Sequence, residues 1–464
     1  MFPFPIDIIP SDEPNRAYIV GGSVRDLILE RTPLDYDIAV LGDPESFASR
    51  MAAGISGHFV KLGKPGLTIF RIVSDDLIFD ISAVTGSSIE DDLRRRDFTI
   101  NALAYDINGG KIIDCVGGRQ DLAQKTVRIV SPSVFKHDPV RLIRAYRMAA
   151  NLGFNIDPET EVIIKKDAHL VTRSAGERQR AELYKILATT SSHQTISRMR
   201  SSGLLTTIFP ELKDLQGCRQ NRHHQFDVFD HTLKAFSHLE DILANIDSFV
   251  PGDSDPEGWS AAEIPVPALK LSLLLHDIGK PASRFVDANG HVHFYGHGKK
   301  SADMAKDVSQ RLRLSKMDAD YLDFIIRHHI RPLFLFTAHR RNKLTNRAVT
   351  RFFMKSGGRA PDLLLHCTAD IMGKGNDDER NQAFITFAGE LIRDYFSTFK
   401  ARTSDPPLLN GHDLIHTFAL RPSPLFKLIL NRIEEERLSG AIGSKTEAEK
   451  LVREFLKLHL KPKI

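Results

Sequence analysis

The chain has 464 residues, 42% of them hydrophobic and 26% charged, with a formal net charge of +4; that length exceeds one hydrophobic core and predicts roughly three or four domains. The composition excludes a disordered or membrane protein, no apolar run approaches the ~18 residues of a membrane span, and the opening MFPFPIDIIP lacks the basic flank of a signal peptide, so a cytoplasmic protein is expected. Cys115, Cys218 and Cys367 lie far apart without a Cys-x-x-Cys, which suggests neither a disulfide framework nor a thiolate zinc site; the mildly basic balance permits a nucleic-acid partner without demanding one.

The segment from Tyr18 to Val40 reads as strand, glycine turn, helix, strand. Gly21-Gly22 lets the backbone turn sharply and approach a ligand. The following stretch, Ser23 to Glu30, is helix-compatible, so its start has N–H groups for phosphate, with Ser23 and Arg25 adding a hydroxyl and a guanidinium. Asp35 and Asp37 sit two apart on the second strand and point the same way. Two parallel carboxylates suit Mg²⁺, a hard ion that shares oxygen ligands with substrate phosphates.

Further strands are expected at His58 to Leu62, Thr68 to Val73 and Leu77 to Ile81. Asp80 lies inside the last, where an unpaired carboxylate is costly. Two readings stand: a third acidic group near the metals, or a hydrogen-bonded structural residue. Next, Arg94-Arg95-Arg96 opens an amphipathic segment in which Asp97 and Asn101, one helical turn apart, share a face.

A helix is predicted to follow His137-Asp138-Pro139, with Asp138 and Pro139 suited to its cap and first turn. Asp138 and Arg141, three apart, project together. Cytosine and adenine each present an amino donor beside a ring-nitrogen acceptor, which a carboxylate and a guanidinium complement; guanine and uracil present the reverse. Arg144 and Arg147 continue the helix toward RNA or solvent, and the later Ser174 to Leu187 reads as structural.

Histidines and aspartates then recur at separated stations: His231, His276-Asp277, His297, His328-His329 and Asp370. Val250 to Pro267, rich in Pro, Asp, Gly and Ser, reads as a surface loop. Near the end, His412-Asp413 reads as a turn and helix start, and the last residues are Lys-rich.

Gly-Gly-x-Val-Arg-Asp followed by Asp-x-Asp resembles the head of the polymerase-β-like nucleotidyltransferases, and more narrowly the tRNA nucleotidyltransferase and bacterial poly(A) polymerase family. The resemblance implies an α+β protein: a mixed-sheet head with helices (residues 1–135), an all-α neck (136–210), an HD domain (211–375) and a C-terminal helical tail (376–464). It implies two Mg²⁺ on Asp35 and Asp37, a triphosphate cradle of Gly21, Gly22, Ser23 and Arg25, ribose and phosphate contacts from Arg95, Arg96, Asp97 and Asn101, and base selection by Asp138 with Arg141. His137 stands where the family's base-selecting motif has a glutamate.

The later stations resemble HD-domain metal phosphohydrolases, which implies a divalent metal site using His231, His276, Asp277, His297, His328 and Asp370. Imidazole and carboxylate donors suit Mn²⁺, Ni²⁺, Fe²⁺ or Zn²⁺. This domain either hydrolyses phosphoesters or only helps hold RNA. The implied partners are tRNA, CTP and ATP. The short segment between Asp80 and Arg95 resembles members that add only cytidines, while CC, A and CCA all remain open as products. A poly(A) polymerase, or a phosphohydrolase or RNA-binding protein with an inactive head, are the alternatives.

Overall fold

The computed structural model describes residues 16–33, 35–63, 68–74, 77–220, 225–249, 264–375 and 378–459. The expected loop over 250–267 lies outside them as far as residue 263; its end is overrun by a helix that starts at Val266 with Pro267 in its first turn. The chain divides into two compact units, Met1–Pro210 and Glu211–Ile464.

The first unit carries a seven-stranded sheet of order β3-β4-β5-β2-β1-β6-β7. Its strands are β1 (Arg16–Val20), β2 (Tyr36–Leu41), β3 (His58–Leu62), β4 (Ile69–Ser74), β5 (Leu77–Ala83), β6 (Leu103–Asp106) and β7 (Lys111–Asp114). β2 and β5 run parallel and every other neighbouring pair is antiparallel, so the sheet is mixed. β1 lies near the middle, and Tyr18, Ile19 and Val20 are all buried, because both faces of a central strand are covered. Fully burying such a side chain stabilises by about 1.5–3 kcal/mol. Helix α1 (Gly22–Ile28) joins β1 to β2, α2 (Pro44–Gly54) joins β2 to β3, and α3 (Ile89–Arg94) follows β5. Ile89 and Leu93 of α3 close one face of the sheet against Tyr18, Val20, Ala39, Ala102 and Ala104.

The arginine run does not open a helix. It ends one: Ser88 caps the start of α3 by accepting from the Asp91 N–H, and Arg95 is the C-cap. Asp97 and Phe98 then run extended into a 3₁₀ turn, Thr99–Asn101, because Phe98 bridges to Ile129. Asn101 still reaches Asp97, with Nδ2 donating to Oδ1 at 3.2 Å.

The remainder of this unit is mostly helical, including α4 (Arg141–Leu152) and α5 (Gly176–Leu187), but the neck is not all-α, because Asn155–Ile156 pairs in parallel with Thr126–Val127. α4 starts two residues later than Asp-Pro suggests, with Val140 as its N-cap; Asp138 instead is the C-cap of the short helix Val134–His137.

The second unit is built from helices, among them α6 (Val228–Ala244), α7 (Val266–Leu275), α8 (His297–Arg311), α9 (Lys316–His328) and α10 (Ala360–Met372). It is not purely helical: Arg284–Val286 pairs with Val292–Phe294 in a hairpin. Gly290 at φ +80° makes the turn, and Asp287 accepts from the Asn289 and His291 N–H groups. A last helical cluster centres on Leu409, Leu414, Ile429, Ile433, Ala448 and Val452. His412-Asp413 does start a helix there, with Asn410 and Asp413 forming a capping box. Among the described residues no helix is long and apolar enough to cross a membrane.

Candidate functional site

β1 ends where Gly21 turns the chain at φ +73°, ψ −133°, a conformation open essentially to glycine alone. A Cβ there would stand 2.8 Å from an Arg96 guanidinium nitrogen and 3.4 Å from Asp37 Oδ2. Glycine is therefore required by dihedral, and a Cβ would also push the Arg96 guanidinium aside. Glycine lets Arg96, itself held by Asp92 at 3.0 and 3.1 Å, lie against the turn beside Asp37.

Ser23 is buried, and its hydroxyl works inside the protein. It donates to the Asp35 carbonyl at 3.1 Å and accepts the Asp37 N–H at 3.0 Å, so α1 grips the strand that carries both carboxylates. Asp35 is exposed and Asp37 half-buried. Burial, and then the charge of Asp35, push Asp37 up to about 6 against the opposing pull of Arg96. This strained pair of like charges is the setting a divalent cation relieves.

Asp80 fits both of its readings. The parallel register sets it beside Asp37, and Arg71 on β4 clasps it in a fork, Nε to Oδ1 at 2.7 Å and Nη2 to Oδ2 at 2.6 Å.

Other expected nucleotide contacts are committed within the protein. Arg25 donates to both oxygens of Asp26 at 2.8 and 2.9 Å and to Asn101 Oδ1 at 2.7 Å. Asp97 is buried, and both of its oxygens are used: Oδ1 accepts from the Phe98 N–H and Asn101, and Oδ2 accepts from Arg144 at 3.0 Å. Although burial opposes its charge, Arg144 holds the Asp97 carboxyl below its ordinary range. Asp97 thus ties head to neck, with Oδ1 bonded twice and Oδ2 bonded to Arg144. Arg144 and Arg147 do not face solvent or RNA as expected, because Glu182 of α5 binds both. Arg95 is exposed.

Asp138 meets Arg178, whose Nη1 and Nη2 donate to Oδ1 and Oδ2 at 2.9 and 2.7 Å. Arg141 Nε lies 3.8 Å from the same carboxylate.

In the second unit two groups of side chains converge, each with ligand atoms within 4.8 Å of one another: His231, His276, Asp277 and Asp370, and then Asp277, His297 and His329. Asp277 belongs to both. α6 supplies His231, the end of α7 supplies His276-Asp277, α8 begins at His297, and α10 supplies Asp370. His276 Nε2 is 3.1 Å from Asp277 and 3.4 Å from Asp370, and Asp277 Oδ1 is 3.4 Å from His297, yet both atoms are buried without a hydrogen bond. Buried lone pairs that converge without a shared proton fit a metal centre. Burial disfavours a charge on His276, but the Asp277 and Asp370 carboxylates beside it push it up to about 10.

His328 is not in this group. It closes α9 and stacks edge-on against Phe324 at 4.8 Å, whereas His329, one residue on, turns inward. His329 Nδ1 donates to the Ile326 carbonyl at 2.6 Å, which leaves Nε2 3.2 Å from His297 Nε2. His366, unnoticed in the sequence, is fully buried with its ring 5.4 Å from that of His276; burial pushes it down to about 3. Its signal is a spacing of four from Asp370 on one helix.

Three family profiles match the chain: Poly A polymerase head domain over residues 17–85 and 79–128, Probable RNA and SrmB-binding site of polymerase A over 153–216, and HD domain over 228–361. A multifunctional CCA protein of Neisseria gonorrhoeae is 31% identical over 78% of this chain and 85% of its own length. The chain belongs to the tRNA nucleotidyltransferase and poly(A) polymerase family. Within this family the A-adding enzyme of Deinococcus radiodurans and the CC-adding enzyme of Thermus thermophilus are each 29% identical over 95% of this chain, covering 96% and 93% of their own lengths. The same fold occurs in a CCA-adding enzyme solved with ATP, at TM-score 0.66 and 23% identity over 97% of this chain and 91% of that one. The nucleotidyltransferase head and the HD domain imply dependence on divalent metal.

Proposed function

We propose that the chain is a template-independent nucleotidyltransferase that extends the 3′ end of tRNA, adding C and/or A from CTP/ATP. The observation that carries this is the carboxylate pair Asp35 and Asp37, clamped by Ser23 behind the Gly21 turn and flanked by Arg96 and Asp80. Asp35 and Asp37 would hold two Mg²⁺, which when bound neutralise triphosphate charge and favour in-line displacement at the α-phosphorus. Gly21 and Gly22 let the chain approach the triphosphate, with Arg95 and Arg96 supplying positive charge. Asp138 accepts from the base's amino group and Arg141 donates to its ring nitrogen. Arg25, Asp97 and Asn101 act one layer back: the bonds Arg25–Asn101–Asp97–Arg144 tie α1 to α4 and so hold the base selector to the head.

The product assigned is two cytidines. β5 ends at Ala83 and α3 begins at Ile89, so only residues 84–88 connect them, which supports the short-loop reading. The finer boundaries 1–135, 136–210, 211–375 and 376–464 place nucleotide transfer in the first region and base selection in the second. The third carries metal-dependent phosphoester hydrolysis at the two histidine–aspartate groups. Mixed imidazole and carboxylate donors there favour Mn²⁺, Ni²⁺, Fe²⁺ or Zn²⁺ over Mg²⁺. A tRNA substrate places the work in the cytoplasm.

The test is incorporation of labelled CTP and ATP, singly and together, on tRNA ending at the discriminator base, on tRNA lacking only the final A, and on unstructured RNA. Two cytidines followed by a stop are expected. A completed CCA overturns the restriction to cytidine, and long adenosine tails on any RNA overturn the tRNA reading.

A further inference from the structure

The motif around Arg178 reads as structural in the sequence, yet its guanidinium occupies the carboxylate assigned to base selection. The geometry points to Arg178 as a positioning residue that fixes the plane of the Asp138 carboxylate and thereby sets which bases are accepted. This rests on the reading of Asp138 and Arg141 as the selecting pair.

Three observations carry it. The contact is a fork on a fork, with Nη1 2.9 Å from Oδ1 and Nη2 2.7 Å from Oδ2. Such an arrangement holds both oxygens coplanar with the guanidinium and stops rotation about the last side-chain bond. A carboxylate has about four lone-pair sites, so a fork that takes one on each oxygen leaves the others to accept an amino group. Second, Asp138 lies in extended backbone at φ −146°, ψ 93°, between the short helix Val134–His137 and Pro139, so no helical turn of its own orients its side chain. Third, the intended partner is not yet engaged: Arg141 Nε is buried, has no hydrogen-bond acceptor, and stands 3.8 Å from Asp138 Oδ2. A buried donor without an acceptor is costly. The ring nitrogen of a cytosine or adenine held at Asp138 supplies such an acceptor, and the protonated ring nitrogen of uracil or guanine does not.

Arg178 and Arg141 therefore divide the work. One guanidinium orients the carboxylate, and the other reads the base. Arg178 sits in the first turn of α5, and Glu182 on the same helix binds Arg144 and Arg147 of α4, so the orienting group is mounted on the element that braces the selecting one.

The experiment measures kcat and KM for CTP and for UTP with the full chain on tRNA ending at the discriminator base, for wild type, Arg178→Met, Arg178→Lys, Asp138→Asn and Asp138→Asn/Arg178→Met. The ratio of kcat/KM for CTP over UTP is independent of the folded fraction, so a loss of stability alone leaves it unchanged. Arg178→Met is expected to lower this ratio roughly tenfold, mainly through a higher KM for CTP, the size of one lost charge-assisted contact. Lysine restores the charge as a point donor without the fork, so Arg178→Lys is expected to recover less than half of the lost discrimination on a logarithmic scale. Asp138→Asn is expected to abolish discrimination, and adding Arg178→Met to it to change nothing further. An unchanged ratio in Arg178→Met, with Asp138→Asn still losing discrimination, overturns the role of Arg178 and leaves the selecting pair standing. Full recovery with lysine, or an undiminished effect of Arg178→Met in the Asp138→Asn background, overturns it also. Discrimination retained in Asp138→Asn overturns both.

Discussion

The two acidic centres of this protein solve the same problem in opposite ways. In the head, the carboxylates Asp35 and Asp37 stand at the start of β2, one of them exposed, with no histidine among their partners. In the second unit the groups are rich in imidazole and buried except for a partly buried His297, and come from three helices and the ends of two others. On the proposed assignment an open pair of hard oxygens would be completed by what the substrate brings, and its ions would come and go with nucleotide. A closed set of imidazoles and carboxylates would be complete before substrate arrives and would hold an ion more tightly. Their supports differ in kind as well: Ser23 of α1 holds the backbone of Asp35 and Asp37 and Arg71 of β4 clasps the neighbouring Asp80 carboxylate, whereas the helix ends at His276, His297 and His329 aim imidazoles inward.

The contrast breaks most sharply at Asp37. Asp37→Ala should lower labelled CTP incorporation by on the order of 10³-fold or more, since several kcal/mol of charge stabilisation is lost, while metal-dependent hydrolysis of a chromogenic phosphodiester continues. Retained incorporation sinks the carboxylate assignment. Conversely, His276→Ala should reduce that hydrolysis on the order of 10²-fold and remove metal retained after purification, read by elemental analysis. Nucleotide addition should stay within about twofold, as expected for separate sites. Parallel loss of both activities would mean the centres are not independent.

Gly21→Ala is the next largest step. A Cβ at φ +73°, 2.8 Å from the Arg96 guanidinium, costs on the order of 1–3 kcal/mol and should cut incorporation by roughly 10- to 100-fold without touching hydrolysis. Arg96→Ala in the same background makes room, and partial recovery of thermal stability is the expected signature. The smallest effect separates two adjacent histidines. His329→Ala should weaken binding of a second ion by roughly tenfold or more in a metal titration, and His328→Ala should leave it unchanged; the reverse result returns the ligand role to His328.

Much of the head was legible because its signals are local. Glycine at a turn, a serine two residues further on, and Asp-x-Asp on a strand each state a backbone requirement within a few residues, and the strands at 58–62, 69–74 and 77–83 follow from alternation and β-branched content. The histidine stations were legible as a set for a weaker reason, since their types and order suggest a metal, though the choice between His328 and His329 turns on about 100° of helical rotation at the very end of α9.

The sequence by itself determined the strand–turn–helix–strand head, the pairing of Asp35 with Asp37 two residues on, the proximity of Asp138 to Arg141 three residues on, and the donor types of the second centre, because each depends on residue identity and on periods of two or 3.6 residues. Only the tertiary structure decided who holds whom. That Arg71 clasps Asp80, that Asp97 serves Arg144 and Asn101, that Glu182 takes both Arg144 and Arg147, and that Arg178 grips Asp138 across forty residues are outcomes of strand register and helix packing. An arginine carries the same charge wherever it stands, and its partner is set by which carboxylate the fold brings within about 3 Å of it.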